Sequence, residues 1–310
     1  MGCYGLAADV GKAGAFCAAA IVALLAPVSA AAYGWPIKPF DQQHAIRGAF
    51  DDPRQGRGAG GQSENSFHFG VDISAPDGTP VYAVAPGTVF LYPDSVSVHQ
   101  SDGHKFAYWH IAAAVGEHAA VNTGDLLGYV RVGWGHVHLA EWNGKTYVNP
   151  LRPGGLEPFS DETTPIVANI NVTQQDGHLD ATAEAYDLPP IRPPPPWQDA
   201  RWTPAFVRWR LLRDDQEVLG WQIAADFRTN WFKGARFDAI YAPGTTQNRA
   251  LASGRYVFWL ARGRDIHGLP AGTYELEVLA SDTRDNTARR SVTFAIPNLQ
   301  SQRTTYRTSR

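Results

Sequence analysis

The sequence predicts an all-β protein of two domains. Its 310 residues leave room for a core in each of two domains of roughly 100 to 200 residues. From residue 35 to about residue 159, short β-type runs are separated by Gly, Pro and Asp, and no segment shows sustained helical periodicity. From about residue 164 to residue 298, longer runs alternate apolar and polar residues, which is typical of strands with one buried face.

The predicted strands follow this pattern in chain order. Those of the first domain are 81–84, 87–92, 95–99, 106–110, 126–130 and 135–139, and those of the second are 166–172, 206–212, 256–260, 273–279 and 291–296. Residues 151–158 form a predicted linker, and residues 189–196 a stiff polyproline loop. The chain therefore divides into a signal peptide (1–32), a first domain (33–160), a second domain (161–298) and a disordered tail (299–310).

The first 32 residues have the composition of a secretory signal. An apolar run from Ala13 to Ala26 follows Lys12 and leads into small residues, with predicted cleavage near Ala30 or Ala32. The run is short for a permanent membrane helix, so a retained anchor is the lesser alternative. We expect export to the periplasm or to the extracellular cell-wall space, with no membrane association after cleavage.

Charge and histidine content separate the possible functions. The formal net charge is −3, and no Lys/Arg cluster accompanies a candidate groove, so we predict no nucleic-acid partner. Seven of the ten histidines fall between His68 and His138. Both cysteines, Cys3 and Cys17, lie in the predicted signal, so imidazole and carboxylate are the zinc ligands that the mature chain can offer.

Three local patterns supply the candidate site. In His68-Phe-Gly-Val-Asp72 a loop histidine precedes a carboxylate on the next strand, and His136 and His138 project from one face of a strand. His110 is the last residue of another predicted strand. Two histidines and one carboxylate leave a tetrahedral zinc with an open position, which is typical of catalytic sites. Each pattern alone is more often a surface loop, a solvated face or a core histidine, but their occurrence together favours a metal site.

These motifs resemble the lysostaphin-type (LytM-like) zinc metallo-endopeptidases, which cleave peptide cross-links of bacterial peptidoglycan. The resemblance runs from about Ile46 to Pro153 and implies an antiparallel β-sheet peptidase domain. Besides the histidine motifs, it includes segments 49–54, 72–81, 85–89, 121–128 and 143–150.

The resemblance also implies the role of each residue. His68, Asp72 and His138 correspond to the zinc ligands, and His110 and His136 flank the open coordination position. Zinc lowers the pKa of its bound water to about 7, so the implied reaction is attack of this water on a peptide bond. Either free imidazole can act as base or acid, and the sequence leaves this division open.

Other residues near these motifs carry weaker predictions. Ala140 stands where the family often has an acidic residue and Glu141 follows it, which puts the packing of that carboxylate in doubt. We expect His99, His104 and His118 to lie near the metal ligands without binding the ion. Among the tryptophans, we expect cleft walls from Trp109, Trp134 and Trp142, and core positions for Trp209, Trp221, Trp231 and Trp259.

The second domain resembles an immunoglobulin-like β-sandwich at residues 271–286, although this pattern is less specific. Asp282, Asp285 and Asn286 are typical of a turn with local hydrogen bonds, and a calcium site is the lesser alternative. We expect this domain to position the substrate, to bind the cell wall or a protein partner, or to cover the cleft.

The sequence thus predicts a secreted zinc endopeptidase that acts on the peptide stems or cross-bridges of peptidoglycan. The alternative is a non-catalytic cell-wall-binding or hydrolase-regulating protein on the same fold, as arises when metal ligands are lost. No ligand is lost here. A third possibility is a peptidase for another substrate, such as a Gly-rich protein, because fold and site determine the reaction better than the substrate.

Overall fold

A computed structural model describes residues 32–57, 63–232 and 236–297. Within them the chain is nearly all β-structure with antiparallel pairing, which confirms the predicted fold class. The predicted signal peptide up to residue 31 and the predicted tail lie outside the described residues. No helix in the described part of the chain is long and apolar enough to span a lipid bilayer.

The first half of the chain builds one large sheet and two small ones. The strands are β1 (Ile46–Gly48), β2 (Pro53–Arg57), β3 (Ser63–Phe67), β4 (Val71–Ser74), β5 (Pro80–Tyr82), β6 (Gly87–Tyr92), β7 (Ser95–His99), β8 (Lys105–Trp109), β9 (Ile111–Ala113), β10 (Ala120–Val121), β11 (Leu126–Val130), β12 (His136–Trp142) and β13 (Tyr147–Val148). The large sheet has the order β1-β4-β12-β8-β7-β6-β10, with β13 paired to β12, and a smaller sheet has the order β5-β11-β9. A separate hairpin joins β2 and β3.

The second half contains two sheets that share one core. One has the order β14-β15-β18 and the other β17-β16-β19-β20. Alternate residues of β15, from Leu179 to Ala185, are buried, as are Val207, Trp209 and Leu211 of β16. The elements are β14 (Ile166–Gln175), β15 (His178–Tyr186), β16 (Phe206–Arg213), β17 (Gln216–Asp226), α1 (Phe237–Ile240), β18 (Val257–Asp265), β19 (Gly272–Ser281) and β20 (Thr287–Ile296). The immunoglobulin-like assignment stays a prediction.

The described chain has two hydrophobic clusters, and each includes a large side chain from the other half of the chain. Phe67, at the end of β3, belongs to the cluster of the second half and contacts the rings of Phe237 and Tyr241. Trp202, from the segment before β16, belongs to the cluster of the first half and donates its indole N–H to the carbonyl of Ile46. The residues on either side of residue 160 therefore pack as one compact unit.

Candidate active site

His68, Asp72 and His138 converge at one end of the large sheet. His68 follows β3, and Asp72 on β4 lies directly opposite His138 on β12. His68 Nε2 lies 2.7 Å from His138 Nδ1 and 3.1 Å from Asp72 Oδ1, and His138 Nδ1 lies 3.0 Å from the same oxygen. Strand pairing and the two-residue period of β12 thus bring the three predicted ligands together.

The chemistry of these donors fits a zinc ion. His68 Nδ1 lies 2.8 Å from the Ala49 carbonyl, which can only accept, so this nitrogen carries the proton and Nε2 faces the cluster. Burial lowers the pKa of His68 to about 3, so the ring is neutral and Nε2 is bare. A bare imidazole nitrogen, a second ring nitrogen and a carboxylate oxygen in contact favour a shared cation, and this is a ligand set that zinc prefers.

The two carboxylate oxygens of Asp72 have different partners. Oδ1 faces the imidazoles, whereas Oδ2 accepts a hydrogen bond of 2.8 Å from Arg54. Burial alone would raise the pKa of Asp72, but its interactions with the surrounding imidazoles hold it well below its usual range. Arg54 therefore orients an ionised carboxylate from behind, as outer partners of metal ligands commonly do.

The other two histidines lie beside the cluster. His136 is buried on β12 with Nε2 3.5 Å from Asp72 Oδ1, and its ring lies 4.6 Å from that of His110. His110 follows β8 in a left-handed conformation with a φ of 67° and stacks on Trp134 at 3.7 Å. Burial and the neighbouring His136 lower the pKa of His110 to about 3, so this imidazole is neutral at neutral pH.

An open cavity of about 400 Å³ contains all five histidine and aspartate side chains. Trp109 and Trp134 line it, as predicted for cleft walls. Trp142 lines a second cavity of about 620 Å³ that also includes Trp109 and extends across the same face of the large sheet. The cluster of His68, Asp72 and His138 therefore lies in a cavity with aromatic walls, and a second cavity adjoins it at Trp109.

Three further histidines of the first half, His99, His104 and His118, have partners outside the cluster of His68, Asp72 and His138. His99 stacks on Phe90, and the exposed His118 contacts the same ring. His104 donates to Glu141, which is fully buried. Burial would raise the pKa of Glu141, but hydrogen bonds from His104 and Arg152 hold it below its usual value. Glu141 thus has a defined place, which resolves the doubt about its packing.

The tryptophan predictions for the second half need correction. Trp209 is buried in the core as expected, but Trp221 and Trp259 are half-exposed, and Arg side chains rather than core residues lie over their faces. Trp231 is also half-buried, and its indole N–H bonds to the carbonyl of Phe67, directly before His68. Alternation within a strand did not separate these positions, because cation–π contacts cover an indole without burying it in a core.

A second group of acids was not predicted as a cluster. The carboxylates of Asp161, Asp187 and Asp282 lie within 4.8 Å of one another, and all three residues are buried. Asp282 accepts from the backbone of Arg284 and Asn286, which is the local turn that the sequence favoured. Asp161 and Asp187 come from chain segments that no sequence pattern connects with this turn.

Two arginines of the site were also not predicted. Arg54 binds Asp72, and Arg47 on β1 contacts His136 Nδ1 at 2.6 Å. Arg47 also lies against the ring of Trp197, which follows the polyproline loop. Their sequence signal is weak, because neither arginine belongs to a spaced motif and both contacts depend on tertiary packing.

Comparisons with known proteins agree on the first half of the chain. Residues 66–150 match the model of peptidase family M23. The DD-carboxypeptidase/endopeptidase Mpg of Neisseria meningitidis is 33% identical over 96 residues, covering 27% of this chain and 22% of that protein. The chain thus spans about a fifth of the length of the curated relatives it matches.

Solved structures with similarity include Csd3 of Helicobacter pylori, with a TM-score of 0.31 and 21% identity over 39% of this chain and 34% of that one. A zinc-containing peptidase from Vibrio cholerae has a TM-score of 0.31 and 21% identity, covering 38% of this chain and 39% of that one.

Proposed function

We propose that this chain, which carries a peptidase family M23 domain at residues 66–150, is an exported zinc endopeptidase that hydrolyses peptide cross-links of bacterial peptidoglycan. The observation that carries the proposal is the convergence of His68, Asp72 and His138 beside two further imidazoles in an open cavity. The relative Mpg, a DD-carboxypeptidase/endopeptidase, supports the choice of substrate.

His68 Nε2, His138 Nδ1 and Asp72 Oδ1 are the atoms that would hold the ion. Bound there, zinc supplies a Lewis acid and an activated water at neutral pH. Arg54 and the Ala49 carbonyl orient two of these ligands through hydrogen bonds.

His110 and His136 supply proton transfer around the scissile bond. Both rings face the cavity that contains the ligand atoms, so each can reach a peptide bound there. His110 is half-exposed and neutral, and its stack on Trp134 fixes the plane of the ring. Trp109 and Trp134 form aromatic walls of this cavity.

The test uses the mature chain with purified peptidoglycan, with released peptides analysed by mass spectrometry. Zinc content is measured in parallel. For His138→Ala we expect both zinc and new peptide termini to be lost, since a ligand is removed. For His110→Ala we expect zinc to remain and cleavage to fall about 100-fold. His178→Ala is the matched control, because His178 is exposed in the second half.

Release of no peptides by a wild-type protein that binds zinc would contradict the proposal. The non-catalytic regulator or cell-wall-binding protein would then be the better interpretation. Cleavage of a Gly-rich protein but not of peptidoglycan would support the proposed peptidase activity and contradict the proposed substrate.

The predicted domains at 33–160 and 161–298 enter this proposal with different roles. The first would carry the reaction. The second would hold the first in place, because Trp231 bonds beside His68 and Trp197 reaches Arg47.

A further inference from the structure

The face of the large sheet that bears His138 also carries a row of small side chains. Strand pairing places Ala140 of β12 opposite Ala107 of β8, and Ala107 opposite Ser97 of β7. Directly paired residues project from the same face of a sheet, so these three side chains form one continuous floor. His138 lies two residues before Ala140 on the same face, which is about 7 Å along the strand. The floor therefore begins beside a predicted zinc ligand.

Two tryptophans border this floor and line the second cavity, of about 620 Å³. Trp109 lies in the row of paired residues that contains His138, on one side of the floor. Trp142 lies in the row that contains Lys105, on the other side. Because the side chains of the floor are small, a flat ring can lie on them and contact an indole. The cavity therefore fits a ligand with apolar ring faces.

Two serine hydroxyls in this cavity are not used by the protein. Ser95 and Ser97 are only 4% and 5% exposed, and both line the cavity. Among residues 32–57, 63–232 and 236–297, no group forms a hydrogen bond with either hydroxyl. A buried hydroxyl without a partner costs free energy, and each one can both donate and accept. The two serines therefore offer hydrogen bonds to a polar ligand that enters the cavity.

Lys105 adds one positive charge at the border of the floor. In the part of the chain that the structure describes, no carboxylate forms an ion pair with its ammonium group. The acid that lines the same cavity, Asp94, pairs instead with Arg131 at 2.9 Å. The ammonium group of Lys105 is therefore available to donate to an acceptor oxygen of the ligand.

The position of these strands in the sheet argues against a peptide as the ligand. β7, β8 and β12 each have a partner strand on both sides, so their backbone groups are already paired and cannot add a peptide strand. A ligand here is bound by side chains: indole faces, hydroxyls and one ammonium group. The ring of an N-acetylated hexosamine presents the matching groups, which are a face of C–H bonds, several hydroxyls and an acetamido oxygen.

We propose that the second cavity is a saccharide subsite, which binds an N-acetylated hexosamine ring of the glycan strand beside the scissile peptide. Trp109 and Trp142 pack against the faces of the ring. Ser95 and Ser97 exchange hydrogen bonds with its hydroxyls, and Lys105 donates to the acetamido oxygen. This inference rests on the proposed function and adds a second part to the substrate, because the peptide is recognised together with the sugar chain that carries it.

Binding is tested with a probe that contains no peptide. Tri-N-acetylchitotriose is titrated into the mature chain, and binding is followed by calorimetry and by tryptophan fluorescence. We expect saturable binding that is about 10-fold weaker in Trp142→Ala and about 5-fold weaker in Ser97→Ala. Ser97→Ala removes a single oxygen atom and serves if Trp142→Ala does not fold. Trp221→Ala is the matched control and should bind like wild type, because Trp221 is a half-exposed tryptophan of the second half.

Kinetics with cross-linked peptidoglycan fragments provide the second measurement. Fragments that keep their disaccharide are compared with the same peptides after an amidase has removed the sugar. We expect a KM about 10-fold lower for the fragments with sugar, and we expect this difference to shrink in Trp142→Ala and Ser97→Ala but not in Trp221→Ala.

Three results would overturn the saccharide subsite: no binding of the chitotriose, equal binding by wild type and both cavity variants, or an equal KM for fragments with and without sugar. Absence of all cleavage would instead contradict the proposed function. The titration would still decide whether this cavity binds a saccharide, because it does not depend on hydrolysis.

Discussion

Gly70 lies between His68 and Asp72 at a point where two strands come very close. A Cβ atom added to this residue would lie 2.3 Å from the Leu139 carbonyl oxygen and 2.8 Å from His138 Nε2. Real side-chain carbons do not approach so closely, and the nearest obstacle is backbone. The central Gly of the first metal motif therefore allows β4 and β12 to bring their ligands together.

Replacing Gly70 with Ala tests this constraint. We expect a loss of about 1–3 kcal/mol in the free energy of unfolding from overpacking, and a zinc affinity reduced about 10-fold as His138 is displaced. Denaturant unfolding and zinc titration measure the two effects. Gly116→Ala is the control, because a Cβ atom added at Gly116 would have no neighbour within 4 Å and its φ is ordinary. Equal zinc affinity in both variants would show that this close approach does not matter.

Glu141 is the common acceptor in a second group of hydrogen-bonded side chains, apart from the cluster of His68, Asp72 and His138. Its oxygens accept from Tyr33 at 2.6 Å, from both terminal nitrogens of Arg152 at 2.6 Å and from His104 at 2.9 Å. Because Gln cannot balance the buried guanidinium, we expect Glu141→Gln to lower the free energy of unfolding by about 3 kcal/mol. Chemical denaturation checks this. The exposed Glu117→Gln should stay within about 0.5 kcal/mol of wild type, and a similar value for both would contradict the role of Glu141.

Sequence reasoning succeeded at residues whose placement depends on local periodicity. The position of His138 two residues after His136 determines which face of β12 it occupies, and the Asp72 motif places a carboxylate on the paired strand. Arg47 and Glu141 were beyond such reasoning. The first depends on a bulge and on a residue from the second half, and the second on a tyrosine 108 positions away.

Among the elements, predicted strand boundaries were accurate where turn residues bracket a short run. The predicted runs at 87–92, 95–99 and 126–130 coincide with β6, β7 and β11. The hairpin of β2 and β3 was not predicted, because its polar sequence lacks alternation. The hairpin is stabilised by contacts with the second half of the chain, since the side chain of Gln55 bonds to the backbone of Thr245.

The buried group of Asp161, Asp187 and Asp282 makes the free energy of unfolding depend on pH. Burial, reinforced by the nearby Asp161, raises the pKa of Asp187 to about 8. The unfolded chain titrates near the ordinary value of about 4, so between these values the folded state binds more protons. The free energy of unfolding contributed by this group therefore falls as the pH rises from about 4 to about 8.

Asp187→Asn removes this titration while keeping the oxygen that accepts from the amide of Leu188. We expect the variant to melt a few degrees above wild type at about pH 8.5, and close to it only at about pH 4. Scanning calorimetry at both pH values measures the difference. The exposed Asp199→Asn serves as control, and an equal shift at both pH values would attribute the effect to something other than titration.

For the whole molecule, the exchange of Phe67 and Trp202 between the two cores predicts cooperative unfolding. We expect the mature chain to unfold in a single calorimetric transition whose enthalpy equals the van't Hoff enthalpy. A chain that ends at residue 160 should lack this transition, because Phe67 and the β2–β3 hairpin lose their partners. Two separate transitions in the full chain, or a fully cooperative fragment, would support independent domains at 33–160 and 161–298 instead.

The contacts that complete the site also determine when it can form. Trp231 bonds to Phe67 across 164 residues, and Tyr241 bonds to the carbonyl of Asp51 across 190. A ribosome adds roughly 5–20 residues per second, so the segment around His68 is synthesised many seconds before these partners. Closing loops of this length slows folding. The active site is therefore assembled late in the biogenesis of the chain, only after most of the second half has emerged.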